Sequence, residues 1–155
     1  MNRFAALKAD IDRELQNLDR LTLELNTVLT TTSPNTAVRV RATGSVIHDF
    51  YTGVEKIFRR IATRVDQDLP TGEDWHVQLL QRMSVPLEEI RPQVIDEHLE
   101  RNLEEYLRFR HLFRNIYGFE LSWERCQPLA EQLHETFADL EEQIGNFKNF
   151  LGLIE

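Results

Sequence analysis

FAALKADIDRELQNLDRLTLELNTV, residues Phe4 to Val28, sets Phe4, Leu7, Ile11, Leu15, Leu18, Leu21, Leu25 and Val28 three or four positions apart. That spacing gathers the apolar side chains on one face of a 3.6-residue helix and leaves the charged ones on the other. The stretch predicts an amphipathic helix of about seven turns. It stops in Thr30-Thr31-Thr32-Ser33-Pro34-Asn35, where β-branched and turn residues meet a proline that cannot continue a helix.

The same period returns along the chain. A second helix opens near Asn35 or Thr36 as N-cap and carries Val46, Phe50, Val54, Ile57, Ile61 and Val65 on one stripe, until Pro70-Thr71-Gly72 breaks it. A shorter helix from about Trp75 to Met83 precedes the proline-punctuated stretch Pro86 to Pro92. Asp96 can cap a fourth helix that runs to Tyr117, with Gly118 as its C′ residue. A last helix begins near Pro128 and repeats Leu129, Leu133, Leu140, Ile144, Phe147 and Leu151. Long helices with short breaks predict an all-α, antiparallel bundle of four to five helices, one domain over residues 1–155. So small a bundle leaves apolar stripe to cover, which points to a dimer.

Composition narrows the function classes. With 155 residues, 41% hydrophobic and 14 aromatic, the chain is expected to be folded, not disordered. No apolar run reaches the length of a membrane span, and the N-terminus lacks the apolar stretch of a signal peptide, so a soluble, cytoplasmic protein is expected. A single cysteine, Cys126, excludes an internal disulfide and a Cys-based metal cluster. The net charge of −8 argues against non-specific coating of nucleic acid. The charge is uneven, however. Residues 37–64 hold six basic side chains (Arg39, Arg41, Lys56, Arg59, Arg60, Arg64) against Asp49 and Glu55, whereas residues 131–155 hold six acids against Lys148. The plain reading is two solvated helix faces; the other is a local anion site on an acidic protein.

Few histidines suggest chemistry. Glu73/His76 and Glu131/His134 have the Glu-x-x-His form of di-iron bundles. His134 lies roughly 105° and Glu131 roughly 165° from the Leu129–Leu151 stripe, so they point outward where metal ligands must point in. No metal site and no cofactor is expected. His48 falls on the outer face of the second helix and His98 in the first turn of the fourth, both expected at the surface.

The fourth helix differs. In Tyr-Leu-Arg-Phe-Arg-His-Leu-Phe-Arg-Asn-Ile-Tyr-Gly, residues 106–118, Arg110, Arg114 and Tyr117 fall within about 60° of the stripe of Leu99, Leu103 and Tyr106. A buried guanidinium costs several kcal/mol unless an acid, a carbonyl or a bound anion meets it.

This segment resembles the HEPN superfamily and, within it, the HepT-like toxins of prokaryotic toxin–antitoxin pairs. Their signature is an arginine, four residues, a histidine, any residue and a tyrosine, with a polar residue after the arginine. Here Arg110, His111 as the polar follower, Asn115 at the histidine position and Tyr117 match it. Ile47-His48-Asp49-Phe50-Tyr51-Thr52-Gly53-Val54-Glu55-Lys56-Ile57-Phe58 and Gly72-Glu73-Asp74-Trp75-His76 are similar to the same family, so that the likeness spans roughly residues 35 to 150.

The resemblance implies a homodimeric, metal-independent RNA endonuclease that uses the RNA 2′-hydroxyl as nucleophile. Arg110, His111, Asn115 and Tyr117 would be its catalytic residues and Arg114 a substrate-binding residue. It also implies an MNT-type nucleotidyltransferase antitoxin that attaches AMP to Tyr117. Asn115 departs from the pattern, because an amide donates hydrogen bonds but does not exchange a proton near neutral pH. Two functions therefore stand side by side, a ribonuclease toxin and an inactive module that binds RNA or the nucleotidyltransferase, with His111 the nearest imidazole to compensate.

Overall fold

The computed structural model describes residues 2–155. Five helices follow one another: α1 (Ala5–Thr31), α2 (Ala37–Ile61), α3 (Trp75–Met83), α4 (Glu97–Asn115) and α5 (Trp123–Leu153). Among the described residues there is no strand, only an isolated bridge between Leu87 and Arg91. Pairings between the long helices give their directions. Arg60 meets Asp10 at 3.1 Å and Lys8 meets Glu155 at 2.8 Å, so α1 runs opposite to α2 and to α5. The Asp96 N–H donates to Gln143 at 2.7 Å and the Tyr106 hydroxyl to the Leu129 carbonyl at 2.7 Å, so α4 runs opposite to α5. The architecture is the expected antiparallel all-α bundle. No helix is long and apolar enough to cross a membrane among the described residues.

Local chemistry sets the starts of α2 and α4 where the sequence places them. The Thr36 hydroxyl accepts from the Arg39 N–H at 3.3 Å, and the Asp96 carboxylate accepts from the Leu99 N–H at 2.8 Å. The ends differ from expectation. After Ile61 the chain continues as a π-helical turn, Ala62–Asp66, ended by Gln67 at φ 56° and not by Pro70. Helix α4 stops at Asn115, and Gly118 opens a 3-10 turn, Gly118–Glu120. Helix α5 begins at Trp123, five residues before Pro128. A proline there frees only the Glu124 carbonyl, which an exposed first turn leaves to water.

The core centres on α2, which touches every other helix. Gly53 is where α1 comes closest: a Cβ on it would lie 2.5 Å from Leu18 Cδ2, itself fully buried. Gly145 in α5 has nothing within 4 Å of such a Cβ. Overpacking costs about 1–3 kcal/mol, more than the roughly 1 kcal/mol that Ala gains over Gly inside a helix. Gly53→Ala therefore lowers the melting temperature while Gly145→Ala raises it; thermal unfolding of the two side by side checks the sign.

Candidate functional site

A polar seam runs between α2 and α4, and it has two ends. At the inner end Arg110 is 2% exposed. Its Nη2 donates to Glu55 Oε2 at 2.8 Å and lies 3.1 Å from His76 Nδ1, which itself is 2.8 Å from the same Glu55 oxygen. A carboxylate oxygen only accepts, so the shorter contact makes His76 Nδ1 a donor to Glu55. The guanidinium also lies over the Tyr51 ring, 5.0 Å from its centroid. Burial pushes the Tyr51 hydroxyl far up, with Glu55 adding to the shift and Arg110 opposing it, so this phenol is not an acid near neutral pH. Of the three partners that the sequence leaves open for Arg110, an acid is the one present.

At the outer end, one turn along α4, Arg114 is exposed. Its Nε donates to His48 Nε2 at 3.1 Å, and His48 Nδ1 faces Asp49 Oδ1 at 3.0 Å. Arginine Nε can only donate, so Nε2 carries the lone pair and Nδ1 the proton, held by Asp49. The Phe113 ring, with centroids 5.3 Å apart, backs the imidazole. His48 was expected at the surface; it is half-buried, because α4 lies over the flank of α2 that the apolar stripe leaves unmarked.

The remaining motif residues lie on the outside. His111 and Asn115 are exposed, and Asn115 Nδ2 donates to the His111 carbonyl at 2.7 Å. Tyr117 has left the helix, because Ile116 is extended (φ −127°, ψ 160°), and so the helical alignment with Arg110 does not hold for it. Its ring is 71% exposed and stacks on Phe119, 75% exposed, with centroids 5.3 Å apart. The cation beside this pair is Arg41: a Cβ on Gly118 would lie 2.8 Å from Arg41 Cζ. Gly118 leaves room for that guanidinium and does not act as a helix cap. The structure thus joins Arg110 to Glu55 and His76, joins Arg114 to His48, and leaves His111, Asn115 and Tyr117 open to solvent.

Besides Arg60, paired with Asp10, two more basic residues of the positive segment are engaged elsewhere. Arg39 Nη2 donates to the Thr32 carbonyl at 2.7 Å, covering the C-terminus of α1, and Arg59 lies over the Trp75 ring at 5.0 Å. They are structural contacts, not a uniformly solvated face. His76 turns to Glu55, Glu131 holds Gln127, and no group of three His, Cys, Asp or Glu side chains converges among the described residues. Cys126 is buried against the Val40 carbonyl, and burial pushes its thiol up to about 11.

Residues 42–151 match the family model described as HepT-like protein. The chain belongs to this family of HEPN-type helical proteins, and the match covers α3, α4, most of α2 and nearly all of α5. No curated protein and no solved structure matches it. Sequence reasoning missed His48, Glu55 and His76 as partners of the motif arginines. For the two in α2 the signal was spacing: His48, Tyr51 and Glu55 follow each other at three and four residues, a polar stripe on the helix that the core surrounds.

Proposed function

We propose that this chain is the ribonuclease toxin of a HepT-like toxin–antitoxin pair, a homodimer that cleaves RNA through its 2′-hydroxyl without a metal ion. The observation that carries the reading is the Arg114 guanidinium, exposed at the end of the motif helix and held by an oriented imidazole. An exposed arginine beside a histidine is suited to hold a phosphodiester and move its proton. Arg114 binds substrate, Arg110 seats the motif helix through Glu55, and the Asn115 amide donates to a phosphoryl oxygen. His111 is the imidazole nearest to Arg110 in the chain, and His111→Ala tests it as the proton carrier.

The partner in this reading is an MNT-type nucleotidyltransferase that adds AMP to the exposed Tyr117 hydroxyl. The phosphodiester so formed brings negative charge to the turn where Arg41 lies against Gly118 and competes with RNA for that cation. Asn115 favours a second reading, an inactive module that binds RNA or the transferase, since the motif's own position holds no proton-exchanging group.

Incubation of the purified chain with tRNA and total RNA in EDTA separates the two. The ribonuclease yields fragments ending in 2′,3′-cyclic phosphate, and Arg114→Ala slows it about tenfold or more through the lost charge-assisted contacts. RNA that is bound but stays intact under every condition supports the module instead. Light scattering at micromolar concentration reports the dimer.

A further inference from the structure

We infer that His48 is the proton-transferring residue of this site, supplying from α2 the imidazole that Asn115 does not supply from α4. The inference rests on the ribonuclease reading and adds to it a residue outside the motif. Three observations carry it. The Asp49 carboxylate at 3.0 Å and the Arg114 Nε at 3.1 Å together leave the proton on Nδ1 and the lone pair on Nε2. The lone pair faces the one motif arginine that is exposed, so a phosphodiester gripped by Arg114 arrives beside it. The Phe113 ring on one side limits the imidazole's rotation, which suits a group that must meet a substrate hydroxyl in one orientation.

The other histidines are placed differently. His76 shares Glu55 with the buried Arg110. His98 contacts Asn102 at 3.4 Å in the first turns of α4, far along the helix from Arg114, and His134 is exposed on α5. His111 is exposed, and no carboxylate lies in hydrogen-bonding contact with it among the described residues.

The step balances with no further reactant. Arg114 turns its two terminal nitrogens to the non-bridging phosphoryl oxygens and gives up its contact with His48. The 2′-hydroxyl proton passes to His48 Nε2 as the 2′ oxygen bonds to phosphorus. The bond from phosphorus to the 5′ oxygen breaks, and the imidazolium returns its proton to that oxygen. A 2′,3′-cyclic phosphate and a 5′-hydroxyl leave, and His48 is neutral again. Asp49 acts only through His48, as the group that holds its tautomer.

The test is His48→Gln in the full chain, because the Gln carbonyl oxygen still accepts from Arg114 while no proton can be carried. Single-turnover cleavage of tRNA in EDTA is expected to fall about a hundredfold or more, at the low end of general acid–base contributions. Binding of a labelled RNA oligonucleotide and the circular dichroism melt are expected to stay as in the parent. Adding Asn115→His to His48→Gln is expected to recover at least about tenfold of the lost rate, since the imidazole returns from the motif's own position. In His48→Ala, added imidazole is expected to restore cleavage, which a merely structural histidine would not show. Full cleavage by His48→Gln, or loss in His111→Ala alone, overturns the assignment and leaves the ribonuclease standing. A parent chain that binds RNA and never cuts it overturns both.

Discussion

Glu55→Ala lowers the stability of this protein by about 3–5 kcal/mol, the usual cost of stripping a buried charge of its partner. Arg110 is the charge left behind, on the inner face of α4, with Glu55 8% exposed beside it. For a chain of this size the loss corresponds to a fall in melting temperature of about 6–20 °C. Glu55→Gln, which keeps an acceptor for Nη2, costs less than Glu55→Ala. The double variant Glu55→Leu/Arg110→Met recovers most of the loss, because apolar residues of similar volume commonly replace a buried pair without penalty. This series matters for function as well. In the ribonuclease reading proposed above Arg110→Ala slows cleavage, and part of that effect comes from an orphaned Glu55 and an unseated α4. Cleavage measured in the refolded double variant isolates what the guanidinium itself contributes. A Glu55→Ala melt within about 2 °C of the parent would show that Arg110 is compensated by something other than Glu55.

Arg91→Ala is expected to cost as much or more, and to do so with no direct effect on the site. Arg91 and Asp66 form a pair whose side chains are 0% and 1% exposed, joined by two parallel hydrogen bonds at 2.6 and 2.9 Å. Its remaining N–H groups donate to the Val85, Pro92 and Arg82 carbonyls at 3.0, 3.1 and 3.4 Å. The substitution leaves a buried carboxylate without its cation and two carbonyls without a donor, which adds up to at least about 4 kcal/mol. The loss appears as a lower denaturant midpoint. Because this pair ties the π turn after α2 to the segment Pro86–Pro92, the same variant should loosen the entry to α4, seen as faster amide exchange in residues 84–96. Arg91→Lys does not rescue it, since a single ammonium cannot make the fork to Asp66 and the carbonyl contacts together.

Much was legible in the chain itself. The three- and four-residue spacing of leucines in α1 and α5 gives amphipathic helices on any backbone, and Thr36 and Asp96 act through hydrogen bonds to N–H groups only three residues away. Local determinants of this kind need no tertiary context, and the all-α bundle follows from them. The family, too, was readable from Arg110, Asn115 and Tyr117 with the segments in α2 and before α3. Helix ends were less so. Pro128 read as a start, yet α5 accommodates it near its N-terminus, because the one carbonyl it frees, that of Glu124, lies in an exposed first turn.

What the tertiary structure alone decided is the partner of each charged group. A helical wheel shows where a side chain points, not what stands there. Helix α2 lies at the centre of the bundle and is covered well beyond its apolar stripe, so Glu55 and His48, on the flank that a wheel assigns to solvent, meet Arg110 and Arg114 of α4 instead. Along α4 the chain offers two arginines one turn apart with the same inward direction, yet one is buried in an ion pair and the other is open to solvent. The difference arises because α4 ends within a turn of Arg114, where its neighbours no longer cover it, while Arg110 lies beneath α2 and α3. Sequence determined that cations stand on this face; packing determined which one is buried in an ion pair and which is open to solvent.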